Sequence, residues 1–558
     1  MSSPVPSPIT AYAPLRVREY RRMWLASAVG NLGTWLQMTA GPWVMQELTG
    51  SPLMVSLVMT ALFLPRLLMT LPGGALADVM DRRTVIIGGL VVSAVPVAVL
   101  AMMTYTGTIT PWSLLVLSFL TGFGNAVRLP AFQTLVPDLV PREMLAQAVT
   151  LNSAAFNMAR AIGPSIGGAL VAVGLTHVAF GANAVSYLAV IGVLLTLPAG
   201  AAKDQGARLR IWRSTVLGLR YVRFTRSIRV LVILAALFQI CAASVQALLP
   251  NLASVELGLD ASGFGILYGL FGAGALVGAG TRERVRLRVG RAMLPLTIVT
   301  FGGAGIVLGT VAHPWVAGAA LMVLGATWVW TNTTINASVQ TLAPQWVRGR
   351  VVSIYLLTIG LQPIGAFTSG VIAEFTRSGV AIAAMGIITV VLGIASVRLS
   401  VPSLGEIVEP APPPEDWVVP LHPGDVGGGR ILVATTWHVD RGSIDAFLDC
   451  MRELRRQRLR TGASRWTLYR AADDPYVLTE TFEVSDWQEH LAQHARIDGE
   501  SAEVIRRARA FDVRGEPESR HLAAVDVSRS AVTPLEAAQL MEHARRHRTD
   551  GSVPLDER

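Results

Sequence analysis

Residues 74–83 read Gly74-Ala75-Leu76-Ala77-Asp78-Val79-Met80-Asp81-Arg82-Arg83 and follow a long apolar run. An apolar helix leaves the bilayer here, turns on Gly74, and presents two acids and two arginines at the membrane surface. Charges on a short loop between two spanning helices are unfavourable unless they are paired or wet. The decapeptide therefore reads as a latch between moving parts. Asp78 would pair with an arginine or meet the N-terminus of a neighbouring helix, holding one side shut. An ordinary basic loop is the plainer alternative.

Working outward, the chain has 558 residues, of which 52% are hydrophobic and only 15% charged. Soluble domains average about 25% charged, so this is the balance of a membrane protein. The N-terminus lacks the short apolar core and small-residue cleavage site of a secretory signal, and the first long apolar run reads as a retained span. The net charge is +9, with a single lysine, Lys203, among 47 basic residues. Arginines in the cytoplasmic loops of a membrane protein account for that excess better than nucleic-acid binding does. Cys241 and Cys450, the two cysteines, fall in a span and in the C-terminal region, so they form no disulfide framework.

A spanning helix needs about 20 mostly apolar residues. Twelve stretches qualify: 23–46, 52–77, 84–106, 111–136, 144–173, 176–199, 228–252, 261–281, 292–312, 315–341, 351–375 and 379–400. Basic residues alternate between the connecting loops. Arg16, Arg18, Arg21 and Arg22 precede the first span, and Arg142 follows the fourth. Lys203 to Arg226 separate the sixth from the seventh, Arg282 to Arg291 the eighth from the ninth, and Arg348 and Arg350 the tenth from the eleventh. The opposite loops carry only Arg377. This asymmetry places both termini in the cytoplasm. Gln133-Thr134-Leu135-Val136-Pro137 recurs as Gln340-Thr341-Leu342-Ala343-Pro344, six spans later. A basic turn and a helix broken by Gly163-Pro164 or Gln362-Pro363 follow the two copies. Two parallel six-helix halves are the plan this echo requires.

The expected organisation is an N-terminal arm (1–22), a first half (23–199), a linker (200–227), a second half (228–401), a Pro/Gly linker (402–429), an α+β domain (430–520) and a polar tail (521–558). Residues 210–224 read as an amphipathic helix, lying on the inner leaflet or packed as a soluble connector. In the α+β domain the order is strand 430–439, helix 443–460, strands 466–470 and 476–484, and a helix over 486–510. That β-α-β-β-α order predicts a ferredoxin-like sheet. The fold class is thus an all-α polytopic membrane protein of twelve helices with a C-terminal ferredoxin-like domain. Thr533-Pro534 with Glu536 reads as a further helix start.

Three groups of residues bear on function. Arg160, Gly163, Pro164, Gly167 and Gly168 lie together in the fifth span. Proline removes a backbone hydrogen bond there and the glycines admit a neighbouring helix closely, which makes either a hinge or simply a tight packing site. Polar residues in otherwise apolar helices are candidates to line a cavity: Asn31, Gln37, Arg66, Asn125, Arg128, Asn157, Gln246 and Asn336. An intramembrane arginine costs about 2.5–3.5 kcal/mol on insertion scales, so such residues face wet cavities or helix-end carbonyls. Arg66 is the deepest. Cavity arginines would attract an anionic substrate. No Asp or Glu falls at the expected midplane of a span, so a coupling carboxylate is not assigned. His490 and His494, at i and i+4, have metal-ligand spacing, but no third ligand is evident; they read as an exposed helix face, with no metal and no catalytic residue assigned.

The loop G-x-x-x-D-x-x-x-R-R resembles the signature loop of the major facilitator superfamily, except that Asp81 stands where a glycine is usual. The G-P-x-x-G-G element resembles that of its antiporter-type exporters. Pro130-Ala131-Phe132-Gln133, Leu139-Val140-Pro141-Arg142-Glu143, Leu151-Asn152-Ser153, Asn157, Arg160 and Val347-Arg348-Gly349-Arg350 resemble the enterobactin-exporter-like branch, the transmembrane secretion effectors. The resemblance implies a cytoplasmic gate formed by Asp78, Arg82 and Arg83. Phe447, Arg465-Trp466, Glu480-Thr481-Phe482, Trp487 and Glu489-His490-Leu491 resemble antibiotic-biosynthesis-monooxygenase-like domains.

These readings lead to a secondary active exporter of a siderophore or drug-like molecule in a bacterial inner membrane. No G-x-x-x-x-G-K-[ST] loop is present, which excludes a phosphate-loop ATPase. The expected partners are a small-molecule substrate, the lipid bilayer and a coupling proton, with homodimerisation through the C-terminal domain; neither a cofactor nor nucleic acid is expected. The alternative is a transporter whose C-terminal domain chemically modifies the exported compound.

Overall fold

The computed structural model describes residues 12–79, 81–135, 139–196, 207–398, 430–497 and 499–524. The chain divides into two compact units.

The first unit holds the apolar helices. They are α1 (Arg18–Thr49), α2 (Pro52–Val79), α3 (Arg82–Tyr105), α4 (Pro111–Leu135), α5 (Leu145–Ala172) and α6 (Thr176–Thr196), then α8 (Arg226–Asn251), α9 (Ala261–Val289), α10 (Met293–Thr310), α11 (Pro314–Leu342), α12 (Arg348–Ile359), α13 (Gln362–Phe375) and α14 (Ser378–Val397). Between them α7 (Ala207–Phe224) links the two sets. Among the described residues, nine stretches are long and apolar enough to cross a membrane. Their outward faces stay apolar: Val91, Val95, Val99 and Met102 form an exposed stripe along α3, as lipid-facing helices require.

Several expectations are corrected here. The chain does not turn at Gly74, because α2 continues to Val79; Ala75-Leu76-Ala77 are strong helix formers. The side chains of Gly74 and Asp78 lie outside the described residues. Asp81, which stands where the signature loop has glycine, is the N-cap of α3, accepting from the Thr84 amide at 3.0 Å. The helix α5 is not broken at Gly163-Pro164 but runs through Pro164. The equivalent eleventh stretch does break, at Gly360-Leu361, and Pro363 opens α13, where proline lacks only an amide that needs no partner. The basic residues expected in the loop before the ninth span are mostly helical, since α9 extends to Val289 and pairs Glu283 with Arg286.

The two sets of helices meet along α5 and α9 and along α2 and α13. Small residues set that first interface. A Cβ on Gly168 would lie 2.5 Å from the Ala261 carbonyl and 2.6 Å from the Gly265 Cα, and one on Gly272 would lie 2.5 Å from the Ala161 Cα. With hydrophobic driving force absent in lipid, such close backbone packing is what holds helices together.

The second unit comprises Leu217–Thr225 and the chain from Val408. Its sheet runs β2-β3-β1-β4, all antiparallel, from β1 (Ile431–His438), β2 (Ser464–Arg470), β3 (Val477–Val484) and β4 (Glu518–Ala523). The alternation of buried and half-buried residues along β1 and β3 follows the period of two. Against this sheet lie α15 (Ile444–Thr461), α16 (Trp487–Ala495) and α17 (Gly499–Arg509). The helix expected over 486–510 is therefore two helices, and β4 passes the boundary expected at 520. Leu217, Tyr221 and Val222 are buried, so the end of α7 packs as a connector rather than lying wholly on a membrane surface. Arg220 donates to the Ala463 carbonyl at 3.3 Å and the Arg460 guanidinium lies 5.9 Å from the Tyr221 ring.

Candidate functional site

A cavity of about 200 Å³ lies within the first set of helices, lined by Trp24, Asn31, Arg128, Phe132, Asn152, Phe156 and Tyr187 among others. Trp24 and Asn152 lie near the starts of α1 and α5, and Phe132 near the end of α4, which places the cavity toward the arginine-rich ends of these helices.

Arg128 gives the cavity its charge. Asn125 and Arg128 stand three residues apart on α4 and so share a face. Arg128 Nε donates to Asn125 Oδ1 at 2.8 Å, and Asn125 Nδ2 donates to the Tyr187 hydroxyl at 3.1 Å. The guanidinium is 6.0 Å from the ring centres of Phe132 and Tyr187, within cation–π range. Gly89 of α3 makes room: a Cβ there would lie 2.8 Å from the Arg128 Cβ. A guanidinium oriented by one amide and two rings, with the amides of Asn31 and Asn152 nearby, can receive an anionic group attached to a flat apolar body.

Arg160 has a different setting. It is 4% exposed, its Nε has no hydrogen-bond partner, and three rings surround its guanidinium: Trp328 at 4.1 Å, Phe271 at 4.9 Å and Trp35 at 5.7 Å. Trp35 lies on α1, Phe271 on α9 and Trp328 on α11, so the cage joins both sets of helices. Desolvated cation–π contacts contribute about 2 kcal/mol or more, which offsets the burial of a charge that pairs with no carboxylate among the described residues. Trp35 also meets Phe156 edge-on at 6.0 Å, so one ring touches both the cage and the cavity wall. Sequence reading placed Arg160 in the glycine element and missed the cage, because aromatic residues in apolar helices carry no signal of what they face.

The other members of that element divide by face. Gly163 and Gly167 pack against Trp35 and Thr39 of α1, while Pro164 and Gly168 approach Gly265 of α9. The remaining polar candidates scatter. Gln37 is buried and accepts from Asn183 Nδ2 at 2.5 Å. Gln246 lines a small second cavity with Gln362 and Pro363 and accepts from the Tyr268 hydroxyl at 3.3 Å. Asn157 donates back to the Ser153 carbonyl, and Asn336 accepts from Gln340, each within its own helix. Arg66 is half-buried on α2 and engaged by neighbours. A polar chain not foreseen runs through the second set: Gln362 Nε2 donates to Gln239, whose own Nε2 donates to Asn332 Oδ1 at 2.8 Å. In the first turn of α3, Arg83 donates to the Leu195 carbonyl at the end of α6, and Arg82 is also engaged.

In the second unit, Glu480 is fully buried and pairs with Arg458 at 3.2 Å; Trp466 Nε1 donates to the same carboxylate at 2.8 Å. His490, expected on an exposed face, is 1% exposed and stands between His494 and His521, each 4.7 Å away by ring centre. The helix turns that face to the sheet because Trp487 on the same side belongs to the core. Burial pushes His490 down to about 3 and His494 down to about 4, with the neighbouring His521 and Arg458 adding to the effect. Among the described residues no group of three His, Cys, Asp or Glu is placed to hold a metal.

Residues 9–530 match the family described as transmembrane secretion effector. The staphyloferrin A transporter of Staphylococcus aureus (strain NCTC 8325 / PS 47) is 27% identical over 364 residues, covering 64% of this chain and 90% of that protein. The multidrug efflux pump Tap of Mycolicibacterium fortuitum is 28% identical over 398 residues, covering 68% of this chain and 95% of that protein. The crystal structure of a point mutant of the nucleoside transporter NupG superposes with a TM-score of 0.58 at 15% identity, covering 69% of this chain and all of that one; this likeness concerns the fold.

Proposed function

The chain belongs to the transmembrane secretion effector family, and from that premise we propose that it is a secondary active exporter of a small amphipathic or anionic molecule. Twelve spans in two six-helix halves rock about the cavity that Arg128 lines, with both termini cytoplasmic and an ion gradient as the energy source. The family's relatives include a siderophore transporter and a multidrug efflux pump, which agrees with a siderophore or drug-like cargo. The observation that carries the reading is the Arg128 cavity: a fixed cation between aromatic walls, near the ends that the arginine asymmetry assigns to the cytoplasm. An exporter loads its cargo from that side. The glycine-lined contact of α5 with α9 supports rocking, because two smooth backbones can shift on one another without unlocking side chains.

On this reading Asp78, Arg82 and Arg83 form the cytoplasmic gate, and the C-terminal domain, ferredoxin-like in strand order, dimerises or regulates rather than catalyses. Comparison of compounds exported by wild-type, deletion and Asp78→Asn cells tests the proposal. The expected outcome is a compound that accumulates inside both mutant strains while the Asp78→Asn protein inserts normally. Full export by Asp78→Asn refutes the gate, and identical export profiles in wild type and deletion refute the exporter.

A further inference from the structure

The end of the helices opposite the arginines is sealed by two layers of polar contacts that cross between the halves. In the deeper layer, Asn251 of α8 donates through Nδ2 to Gln46 Oε1 of α1 at 2.8 Å and to the Gly50 carbonyl at 3.1 Å. Its Oδ1 accepts from Ser378 of α14 at 2.7 Å. Gln46, Asn251 and Ser378 are all buried, so these bonds have no water to replace them.

The outer layer has an unusual construction. α2 begins at Pro52, which has no amide to offer, and has no acid in its first turn. Ser51 accepts from the Met54 amide at 3.2 Å, as an N-cap residue does. The acid that meets this first turn comes from Glu374 on α13, 323 residues away. Its Oε2 accepts from the Ser51 hydroxyl at 2.7 Å and from the Leu53 amide at 3.1 Å. A carboxylate at a helix N-terminus also meets the positive end of the helix dipole. Glu256 offers an internal contrast. It lies in the helical turn that follows α8 and accepts from the Gly379 amide of α14 at 2.7 Å, but both belong to the same half, so relative motion of the halves leaves that contact alone.

We propose that Glu374 is the bolt of the gate at the arginine-poor end: a helix cap supplied by one half to the other, made only while the two halves are closed there. The proposal rests on the alternating-access reading above. When the halves part, Ser51 still caps α2, but the Leu53 amide and the Ser51 hydroxyl lose their acceptor and Glu374 its two donors, so the closed form is favoured by interactions that no other state provides.

The test needs no knowledge of the cargo. Ser56 lies one turn beyond the cap, fully buried, and packs so tightly on Gly370 of α13 that a Cβ there would clash with its Oγ. In the full chain carrying Cys241→Ser and Cys450→Ser, Ser56→Cys reports opening by its reaction with a membrane-impermeant maleimide added outside intact cells. Adding Glu374→Ala is expected to speed labelling roughly three- to tenfold, the range for losing charge-assisted bonds at a partly wet site. Glu256→Gln is expected to leave the rate unchanged. Ser51→Ala, which removes one of the two donors on the other half, is expected to speed labelling in the same direction as Glu374→Ala and serves if that variant does not insert. Labelling of Glu374→Ala or its substitute at the unmodified rate overturns the bolt, as does equal acceleration by Glu256→Gln. A reporter that never reacts in any variant overturns alternating access itself.

Discussion

Gly168→Ala tests whether the α5/α9 contact sets the balance between the two conformations. The added methyl would stand 2.5 Å from the Ala261 carbonyl oxygen and 2.6 Å from the Gly265 Cα. Both are backbone atoms, so no side chain can rotate away. Carbon atoms pack at about 3.5 Å or more, so α5 and α9 must separate by about 0.9 Å. Overpacking of this kind costs about 1–3 kcal/mol, charged only to the form in which the helices touch. The equilibrium then shifts about 5- to 150-fold toward the form opened at the arginine-poor end. Alanine also raises helix propensity by about 1 kcal/mol over glycine, so Gly303→Ala, which meets nothing within 4 Å, is the matched control. Trp112 and Trp315 are exposed at the starts of α4 and α11, one in each half. Nitroxides at Trp112→Cys and Trp315→Cys read the separation by pulsed electron spin resonance. A longer distance population should grow in Gly168→Ala and not in Gly303→Ala. If the two distributions coincide, the glycine contact does not govern the motion.

Two further outcomes concern the C-terminal domain. Arg458→Ala leaves the Glu480 carboxylate buried without its cation, so the domain should lose about 3–5 kcal/mol of stability, seen as a lower unfolding temperature in calorimetry of the purified chain; an unchanged transition would contradict the pairing. His490 and His494 titrate well below the unfolded value near 6.5. Between that value and pH about 4 the unfolded chain therefore binds protons that the folded domain refuses. Stability is full above about pH 6.5 and falls as the pH drops, by at most about 1.4 kcal/mol per histidine per pH unit. Denaturant titrations at pH 7 and 5 on wild type and on His490→Gln should show the slope and its reduction; equal slopes would refute the burial argument.

Much of this architecture is written in one dimension. The lipid offers no hydrogen bonds, so each spanning segment must be a helix of apolar residues. Such segments can be located from composition alone, as can the side on which the arginines collect. The glycines of α5 announced a close contact, though not that α9 is the partner. The order of strand and helix candidates foretold a sheet, while β4 did not show because Glu518-Ser519-Arg520-His521 carries no apolar pattern. The break expected at Pro164 did not occur, whereas Pro363 opens a new helix after Gly360-Leu361. The presence of a proline in an apolar helix thus did not by itself say whether the helix would continue through it or restart.

The linear chain by itself determined the membrane class, the apolar segments and the arginine asymmetry, because these follow from transfer free energy summed over segments. Tertiary structure alone decided which polar groups share a site. Arg128 meets Tyr187 from another helix, Arg160 is caged by rings from three others, and Glu374 caps a helix 323 residues distant. Those pairings depend on helix rotation and packing across the interior, which residue spacing along one helix does not encode.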